Sequence, residues 1–215
     1  NVGTIQWQSS VDGVNNWTNI TDATTTTLNT GALTSTTYYR AAVTSGVCST
    51  VNSNVVTVTV DPTSVAGTIS GVNSICTGTG TTLTLADNIG TIQWESRTGS
   101  DAFAPIGGQT AATLATGNLT TTTDYRAVVT SGVCSEATTA TYTVTVNANT
   151  VAPTVSGADI ICYNTQTTLT ASSTNGTTYR WYDAAVLGNL LHTGAAFTTP
   201  ALTANTTYYV EAQGL

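Results

Sequence analysis

Apolar and polar residues alternate along most of the chain. Leu83 and Leu85 share one face of a threonine-rich segment, and Ile92 and Trp94 share one face of the next segment, opposite polar neighbours. A period of two residues is typical of a half-buried β-strand. Threonine is abundant, and this β-branched residue favours strands over helices. The pattern predicts an all-β chain.

The strands are short and are separated by turn residues. Within residues 61–146 we predict them at 66–75 (interrupted at Gly71), 81–86, 91–96, 112–115, 124–130 and 141–146. Glycine and serine mark the turns between them. About seven short strands with no helical period predict a β-sandwich.

The chain repeats itself with a period of about 86 residues. The segment Gly3-Thr4-Ile5-Gln6-Trp7 returns at residues 90–94, and the tetrapeptide S-G-V-C at 45–48 returns at 131–134. A third copy aligns Ile161-Cys162 with Ile75-Cys76. A fixed period of this kind is the mark of a tandem array.

The period divides the chain into three parts. We predict an incomplete repeat at 1–60 that corresponds to the C-terminal part, a complete repeat at 61–146 and the N-terminal part of another at 147–215. Because the chain lacks an initial methionine and an apolar signal segment, we expect it to be an interior piece of a longer protein.

Two aromatic positions recur in each copy. A tryptophan lies in the third strand and a tyrosine opens the sixth, and we predict that these residues form the structural core: Trp7, Trp94, Trp181, Tyr39, Tyr125 and Tyr209. Their places match the central tryptophan and the tyrosine corner of immunoglobulin-like sandwiches. Alanines stand where antibody domains carry their second cysteine. We therefore predict tandem immunoglobulin-like β-sandwich repeats without the antibody disulfide.

The composition argues against some classes of binding partner. Only 7% of the residues are charged, the net charge is -7, and all four basic residues are arginines. This argues against nucleic acid as a partner. No apolar run is long enough for a membrane span. The four cysteines form no C-x-x-C pair and lie far from the single His192, which favours an exported, disulfide-forming protein.

Two disulfide patterns fit the sequence. Within a repeat, Cys76 would join Cys134; between repeats, Cys48 would join Cys76 and Cys134 would join Cys162. Loop entropy does not choose between them, since both closures stabilise by about 4 kcal/mol. We favour Cys76 with Cys134, because a bridge inside each repeat lets every module fold independently.

The sequence offers little for catalysis. His192 is isolated and the carboxylates are scattered, so we expect no enzyme activity, no cofactor and no metal site. Asp12 and Asp87 lie in loops, where turn chemistry is a better explanation than calcium. Trp17 aligns with Phe103, an apolar position filled by different shapes, which favours core packing over a sugar-binding platform.

Taken together, the motifs resemble a known family. G-T-I-Q-W, Y-R-A followed by S-G-V-C, I-C before the second strand and a closing V-T-V-T-V are similar to the immunoglobulin-like repeats of giant cell-surface adhesins from gliding Bacteroidetes. The third copy departs from the first two at 179–183. The resemblance implies export by the type IX route, extracellular display on the outer membrane as a filament, and adhesion to surfaces during gliding.

The sequence is compatible with three functions. The first is a structural filament segment whose partners are neighbouring repeats of the same chain. The second is an array of carbohydrate-binding modules, with surface polysaccharide as the partner. The third is a spacer joined to an enzyme elsewhere in the parent chain.

The assigned faces also make a local prediction. Because Trp94 and Tyr125 face inward, Glu95 and Arg126 face outward on neighbouring strands and form an exposed ion pair. In the first copy, Gln8 takes the place of the glutamate opposite Arg40.

Overall fold

The computed structural model describes residues 3–214, which form 20 β-strands and no helix. The first module contains β1 (Thr4–Ser10), β2 (Thr18–Asn19), β3 (Thr37–Thr44), β4 (Val51–Asn52) and β5 (Val56–Val58). The second contains β6 (Thr68–Gly71), β7 (Ser74–Cys76), β8 (Thr82–Ala86), β9 (Thr91–Thr98), β10 (Ala104–Pro105), β11 (Thr113–Ala115), β12 (Thr123–Thr130), β13 (Ala137–Thr138) and β14 (Tyr142–Asn147). The third contains β15 (Thr154–Ser156), β16 (Thr168–Ser172), β17 (Thr178–Tyr182), β18 (Leu190–Thr193), β19 (Ala196–Thr198) and β20 (Tyr209–Gln213). Over the same residues, no helix is available to span a bilayer.

The second module is a two-layer sandwich. One layer runs β10-β9-β12-β14-β7, with β13 also paired to β12, and the other runs β11-β8-β6. The two layers enclose one apolar core: Leu83, Leu85, Trp94, Leu114, Tyr125, Ala127, Val129 and Val144. The predicted strands agree with the observed ones to within two residues, apart from the first, which splits into β6 and β7 at Gly71.

Alternation explains why these segments become strands. In β12 every second residue is buried, so that Tyr125, Ala127 and Val129 point inward while Arg126 points outward. In β8 the two leucines point inward between exposed threonines. One apolar face on each layer suffices to bury Trp94 completely.

The third module pairs two three-stranded sheets, β15-β16-β19 and β18-β17-β20. Ala171, Trp181 and Phe197 form its buried core. The prediction of Tyr209 as a core residue is wrong, because it is 40% exposed. Trp181 pairs with Val210, so Val210 and Tyr208 share the inward face, and Tyr208 packs edge-on against Phe197.

The first module forms a single sheet. Its strands run β2-β1-β3-β4, with β5 also paired to β3. Trp7 occupies the position of Trp94 but is only half-buried, whereas Tyr39 is buried. The described residues of this module contain no counterpart of the layer that covers the second module.

Candidate binding surfaces

No disulfide joins the four cysteines in this structure, and strand register explains this for Cys76 and Cys134. Cys76 pairs with Asn147 of β14, at the end of the sheet where β12 begins. Cys134 lies beyond the last residue of β12, at the other end of the sheet. Eight strand residues span roughly 25 Å. A disulfide requires Cα atoms within about 7 Å. The predicted Cys76–Cys134 bridge is therefore wrong for this structure, because the two residues lie at opposite ends of the sandwich.

The Cys48–Cys76 bond of the alternative pattern meets the same difficulty. β5 leads to the linker and pairs with the start of β3, while Cys48 lies beyond the other end of β3. Cys48 is thus at the end of the first module that faces away from the second. The Cys48–Cys76 alternative has the same geometric obstacle as the bridge within the repeat.

A short loop of the second module clamps the linker from the first. The Ser131 amide donates to Ser64 Oγ at 2.9 Å, and the Val133 amide donates to Asp61 Oδ2 at 3.1 Å. The Cys134 thiol lies 3.7 Å from the Asp61 carbonyl oxygen. Ser64 and Ser131 are buried. This loop is the S-G-V-C segment, and we call it together with Asp61 and Ser64 the linker clamp.

The other junction is also built from hydrogen bonds. The Asn175 side chain donates to the Asn149 carbonyl at 3.0 Å, and the Asn149 side chain donates to the Thr77 carbonyl at 3.4 Å. Ser173 Oγ donates to the Val151 carbonyl. The linker residues are thus held on both sides, by the end of the second module and by a turn of the third.

The outward face of the second module carries two ion pairs under one aromatic ring. Arg126 contacts Glu95 at 2.7 Å and Arg97 contacts Asp124 at 3.0 Å. Both guanidinium groups lie against the ring of Phe103, at 4.2 and 4.5 Å from its centroid. The predicted Glu95–Arg126 pair is confirmed, and the cation–π cap on it was not foreseen.

The first module has a matching stack. Arg40 donates to Gln8 Oε1 at 2.8 Å and its guanidinium lies 4.1 Å from the ring centroid of Trp17. The predicted core position of Trp17 and Phe103 is therefore wrong. Both rings lie on the outward face of the sheet, because each packs over an arginine that alternation directs away from the core.

The third module has a looser form of this arrangement of arginine, acceptor and aromatic ring. Arg180 and Glu211 lie 3.6 Å apart and both are well exposed. Tyr182 donates its hydroxyl to Glu211 at 2.6 Å. That hydrogen bond is the main reason why the pKa of Tyr182 is raised. A tyrosine at the strand end takes the place that an aromatic cap holds in the first two modules.

Hydrogen bonds also lower the pKa of several carboxyl groups. The pKa of Asp124 is lowered mainly by the Thr143 hydroxyl, which donates to it at 2.6 Å, and further by Arg97. The pKa of Asp12 is lowered chiefly by Ser10 and then by the amides of Val14 and Asn15. Asp12 thus organises a tight turn, as the sequence predicted.

The described residues contain no group of three or more histidine, cysteine or acidic side chains that could hold a metal ion. His192 is exposed and stacks at 6.0 Å from Phe197.

The linker clamp was missed by sequence reasoning. Asp61-x-x-Ser64 lies about 70 residues before the loop it contacts, and neither residue type is distinctive in a linker. One signal was present in the sequence. The segment Ser45-Gly46-Val47-Cys48 recurs unchanged at 131–134, although neither copy lies in a strand or supplies a residue to the apolar core.

Comparison with known proteins identifies the modules. A family model described as a domain of unknown function (DUF8696) matches residues 1–62 and again residues 65–148. The chain belongs to this family. Residues 151–214, which follow the two DUF8696 segments, match the model of an Ig-like domain, CHU_C associated. None of the curated proteins matches the sequence.

The DUF8696 chain also aligns with solved structures. The crystal structure of the FN1-FN3 domains of chicken CNTN1 matches with 12% identity and a TM-score of 0.31, over 97% of this chain and 83% of that one. The fold of the chain is all-β and immunoglobulin-like.

Proposed function

We propose that this chain is a structural segment of a long secreted cell-surface adhesin, in which immunoglobulin-like modules form a filament for surface attachment and gliding motility. The motifs resemble those of the gliding-motility adhesin SprB. The third module matches an Ig-like domain model, and tandem modules of this kind serve as structural repeats.

The observation that carries the proposal is the linker clamp. A stiff filament that holds its tip away from the cell requires neighbouring modules to keep a defined orientation. In the second module, Ser64 and Asp61 are each held by a backbone amide of the same loop. The linker is thereby tied to the module instead of acting as a flexible tether.

Small-angle scattering on the purified chain tests the mechanical part. The double variant Asp61→Ala, Ser64→Ala removes both clamp acceptors, and we expect a broader distribution of particle dimensions than in the original chain. Thr63→Ala, at an exposed position between them, is the matched control. Identical scattering from the original chain and the double variant would contradict a role of the clamp in stiffness.

Display on the cell requires a separate experiment. Antibodies raised against the purified chain should label intact, unpermeabilised cells that produce the protein, at a distance from the outer membrane. Loss of the parent protein should reduce attachment and gliding. Labelling only after permeabilisation would contradict the proposal.

The stacked arginines favour one alternative, a carbohydrate-binding array. Trp17 and Phe103 hold aromatic rings on the outward faces of successive modules, next to hydrogen-bonding side chains. Binding of the chain to a glycan array, abolished by Trp17→Ala and Phe103→Ala while the melting temperature is retained, would favour this function. No binding across neutral and acidic polysaccharides would reject it.

A further inference from the structure

A turn of the third module carries a reactive pair of residues. Asn175 is followed by Gly176 between β16 and β17, and this is the only Asn-Gly pair in the sequence. An asparagine loses its side-chain amide when the next backbone nitrogen attacks its Cγ atom. Glycine leaves that nitrogen most accessible, because it has no side chain to shield it. The turn therefore holds both reacting groups of a spontaneous modification.

The surroundings of position 176 require glycine. A Cβ atom there would lie 2.9 Å from the Cβ atom of Ala212 and 3.0 Å from the Cβ atom of Ser173. Carbon atoms in contact favour separations of about 3.5–4.0 Å, so any larger residue would strain the turn. The packing that keeps glycine at this position thus also leaves the Asn175 side chain open to attack.

The Gly176 amide is available as the nucleophile. Among the hydrogen bonds of residues 3–214, none is donated by this amide, whereas the amide of the next residue, Thr177, donates to the Gln213 carbonyl. Asn175 and Gly176 also line an open cleft of about 330 Å³. The attacking nitrogen is therefore not held by a hydrogen bond, and the water that completes the reaction has access to the pair.

The one Asp-Gly pair of the sequence provides a contrast. The Gly13 amide donates to Ser10 Oγ at 3.1 Å, and Asp12 accepts hydrogen bonds from Ser10 Oγ and from the amides of Val14 and Asn15. These hydrogen bonds lower the pKa of Asp12, chiefly the one from Ser10. An ionised carboxylate is a poor target for a nucleophile, and the nucleophile is itself engaged. We expect this turn to resist the reaction that is open to the Asn-Gly turn.

We propose that Asn175–Gly176 is a self-modifying site that releases a contact between the second and third modules as the protein ages. The Gly176 nitrogen bonds to Asn175 Cγ, the Cγ–Nδ2 bond breaks, and ammonia leaves with the proton of the Gly176 nitrogen. Water then opens the five-membered imide, with its hydroxyl group going to carbon and its hydrogen to nitrogen. Opening at Cγ gives aspartate, and opening at the main-chain carbonyl carbon gives isoaspartate.

Either product alters the contact between the modules. Asn175 Nδ2 donates to the Asn149 carbonyl oxygen at 3.0 Å. An ionised carboxylate has no hydrogen to donate, so aspartate places one oxygen against another. Isoaspartate in addition lengthens the main chain of the turn by one atom. The linker thereby loses one of its contacts with the third module. The inference goes beyond the filament function and does not depend on it.

Ageing of the purified full chain tests the modification. The chain is kept in water enriched in heavy oxygen at neutral and at mildly alkaline pH, and its peptides are then mapped by mass spectrometry. The label separates new conversion from any that preceded purification, because each opening of the imide takes up one oxygen from water.

We expect Asn175 to convert at least about tenfold faster than Asn118, which is exposed but is followed by leucine. Conversion should be faster at the higher pH, because the attacking nitrogen must lose its proton. Equal rates at the two asparagines would overturn the proposal.

Three variants of the full chain test the consequence for the junction. Asn175→Asp reproduces one product, and Asn118→Asp is the charge-matched control. Asn175→Gln keeps the amide but slows closure of the imide, because the ring would contain one more atom. We expect Asn175→Asp to raise the rate of cleavage within residues 147–153 by a non-specific protease about fivefold, as the loss of one hydrogen bond predicts. Asn118→Asp should leave this rate unchanged.

Aged samples provide a second measurement that needs no aspartate substitution. The aged original chain should be cleaved like Asn175→Asp, whereas the aged Asn175→Gln chain should be cleaved like fresh protein. Unchanged cleavage of Asn175→Asp at an unchanged melting temperature would overturn the proposed release, and so would equal cleavage of the two aged chains. Identical scattering from the original chain and the Asp61→Ala, Ser64→Ala variant would count against the filament proposal alone and would leave this one intact.

Discussion

At the residue scale, arginine organises the outward face of each module. Each of Arg40, Arg126 and Arg180 lies opposite a glutamine or glutamate on the neighbouring strand, and the first two also lie against an aromatic ring. The pairs range from part-buried at Arg126–Glu95 to exposed at Arg180–Glu211, and solvent-screened pairs stabilise a protein by about 1 kcal/mol or less each. These pairs fix the orientation of the side chains, because a planar guanidinium can bind an acceptor and stack on an aromatic ring at the same time.

Asp124 provides a pH-dependent prediction. Its folded pKa lies below the ordinary value, chiefly because Thr143 donates to it. A carboxyl group with a lowered folded pKa stabilises the protein above its unfolded pKa, and this contribution is lost as the pH falls through the folded pKa. We expect Asp124→Asn to flatten the loss of stability below about pH 4, by no more than about 1 kcal/mol.

Urea unfolding between pH 2 and pH 7 measures this effect. Glu136→Gln, at an exposed position of the same module, is the charge-matched control. If Asp124→Asn retained the full acid dependence of the original chain, the Thr143–Asp124 hydrogen bond would not contribute to stability in solution.

At the element scale, the covering layer decides how well a module is packed. Strands β8 and β11 lie against the tryptophan of β9 and bury it completely, whereas the equivalent tryptophan of β1 stays half-buried. Because interior side chains are close-packed, removal of the same atoms costs more where the cover is complete.

Two equivalent leucines test this difference. Leu114→Ala should destabilise the second module by about 2–5 kcal/mol, because Leu114 is 2% exposed. Leu28→Ala, at the half-buried equivalent position, should cost clearly less. Thermal unfolding of both variants measures the contrast. Equal losses would show that the first module is as well covered in solution as the second.

The arrangement of strand ends makes a prediction about the thiols. Cys76 and Cys134 are separated by the length of β12, and we expect that the folded chain forms no bond between them under oxidising conditions. Peptide mapping of the unreduced protein measures this directly. A linked pair of peptides containing Cys76 and Cys134 would require a different register for β7 or β14.

At the scale of the whole molecule, junctions determine whether modules act together. The linker clamp ties the first linker to the second module, and a chain of asparagine contacts links the second module to the third. These contacts involve few residues, so they are sensitive to single substitutions in a way that the sandwich cores are not.

Two glycines with the same backbone conformation isolate the clamp. Gly132 and Gly46 have φ angles of +52° and +54°, but a side chain at Gly132 would collide with the Asp61 carboxylate, while Gly46 has open space around it. Gly132→Ala should therefore loosen the junction as well as strain the turn, whereas Gly46→Ala should only strain the turn. Limited proteolysis at the linker measures the difference, and equal cleavage of both variants would contradict the clamp.

Much of the fold follows from residue order alone. The period of two in segments such as 123–130 determines which side chains face the core, because successive side chains of a strand point to opposite faces. The same alternation correctly placed Glu95 opposite Arg126. Residue order was sufficient to predict the strand positions and the repeat motifs, because both are local properties of the chain.

Features that depend on contacts between distant segments were decided only by the tertiary structure. The side of the sheet occupied by Trp17 and Phe103 follows from the arginines beneath them, and the ends occupied by the cysteines follow from which strands pair. At Tyr208–Tyr209, two adjacent tyrosines fit the motif equally well, and the pairing of Trp181 with Val210 selected the first of them for the core. Alternation specifies opposite faces, but register and the order of strands, which depend on contacts between segments far apart in the chain, specify what each face meets.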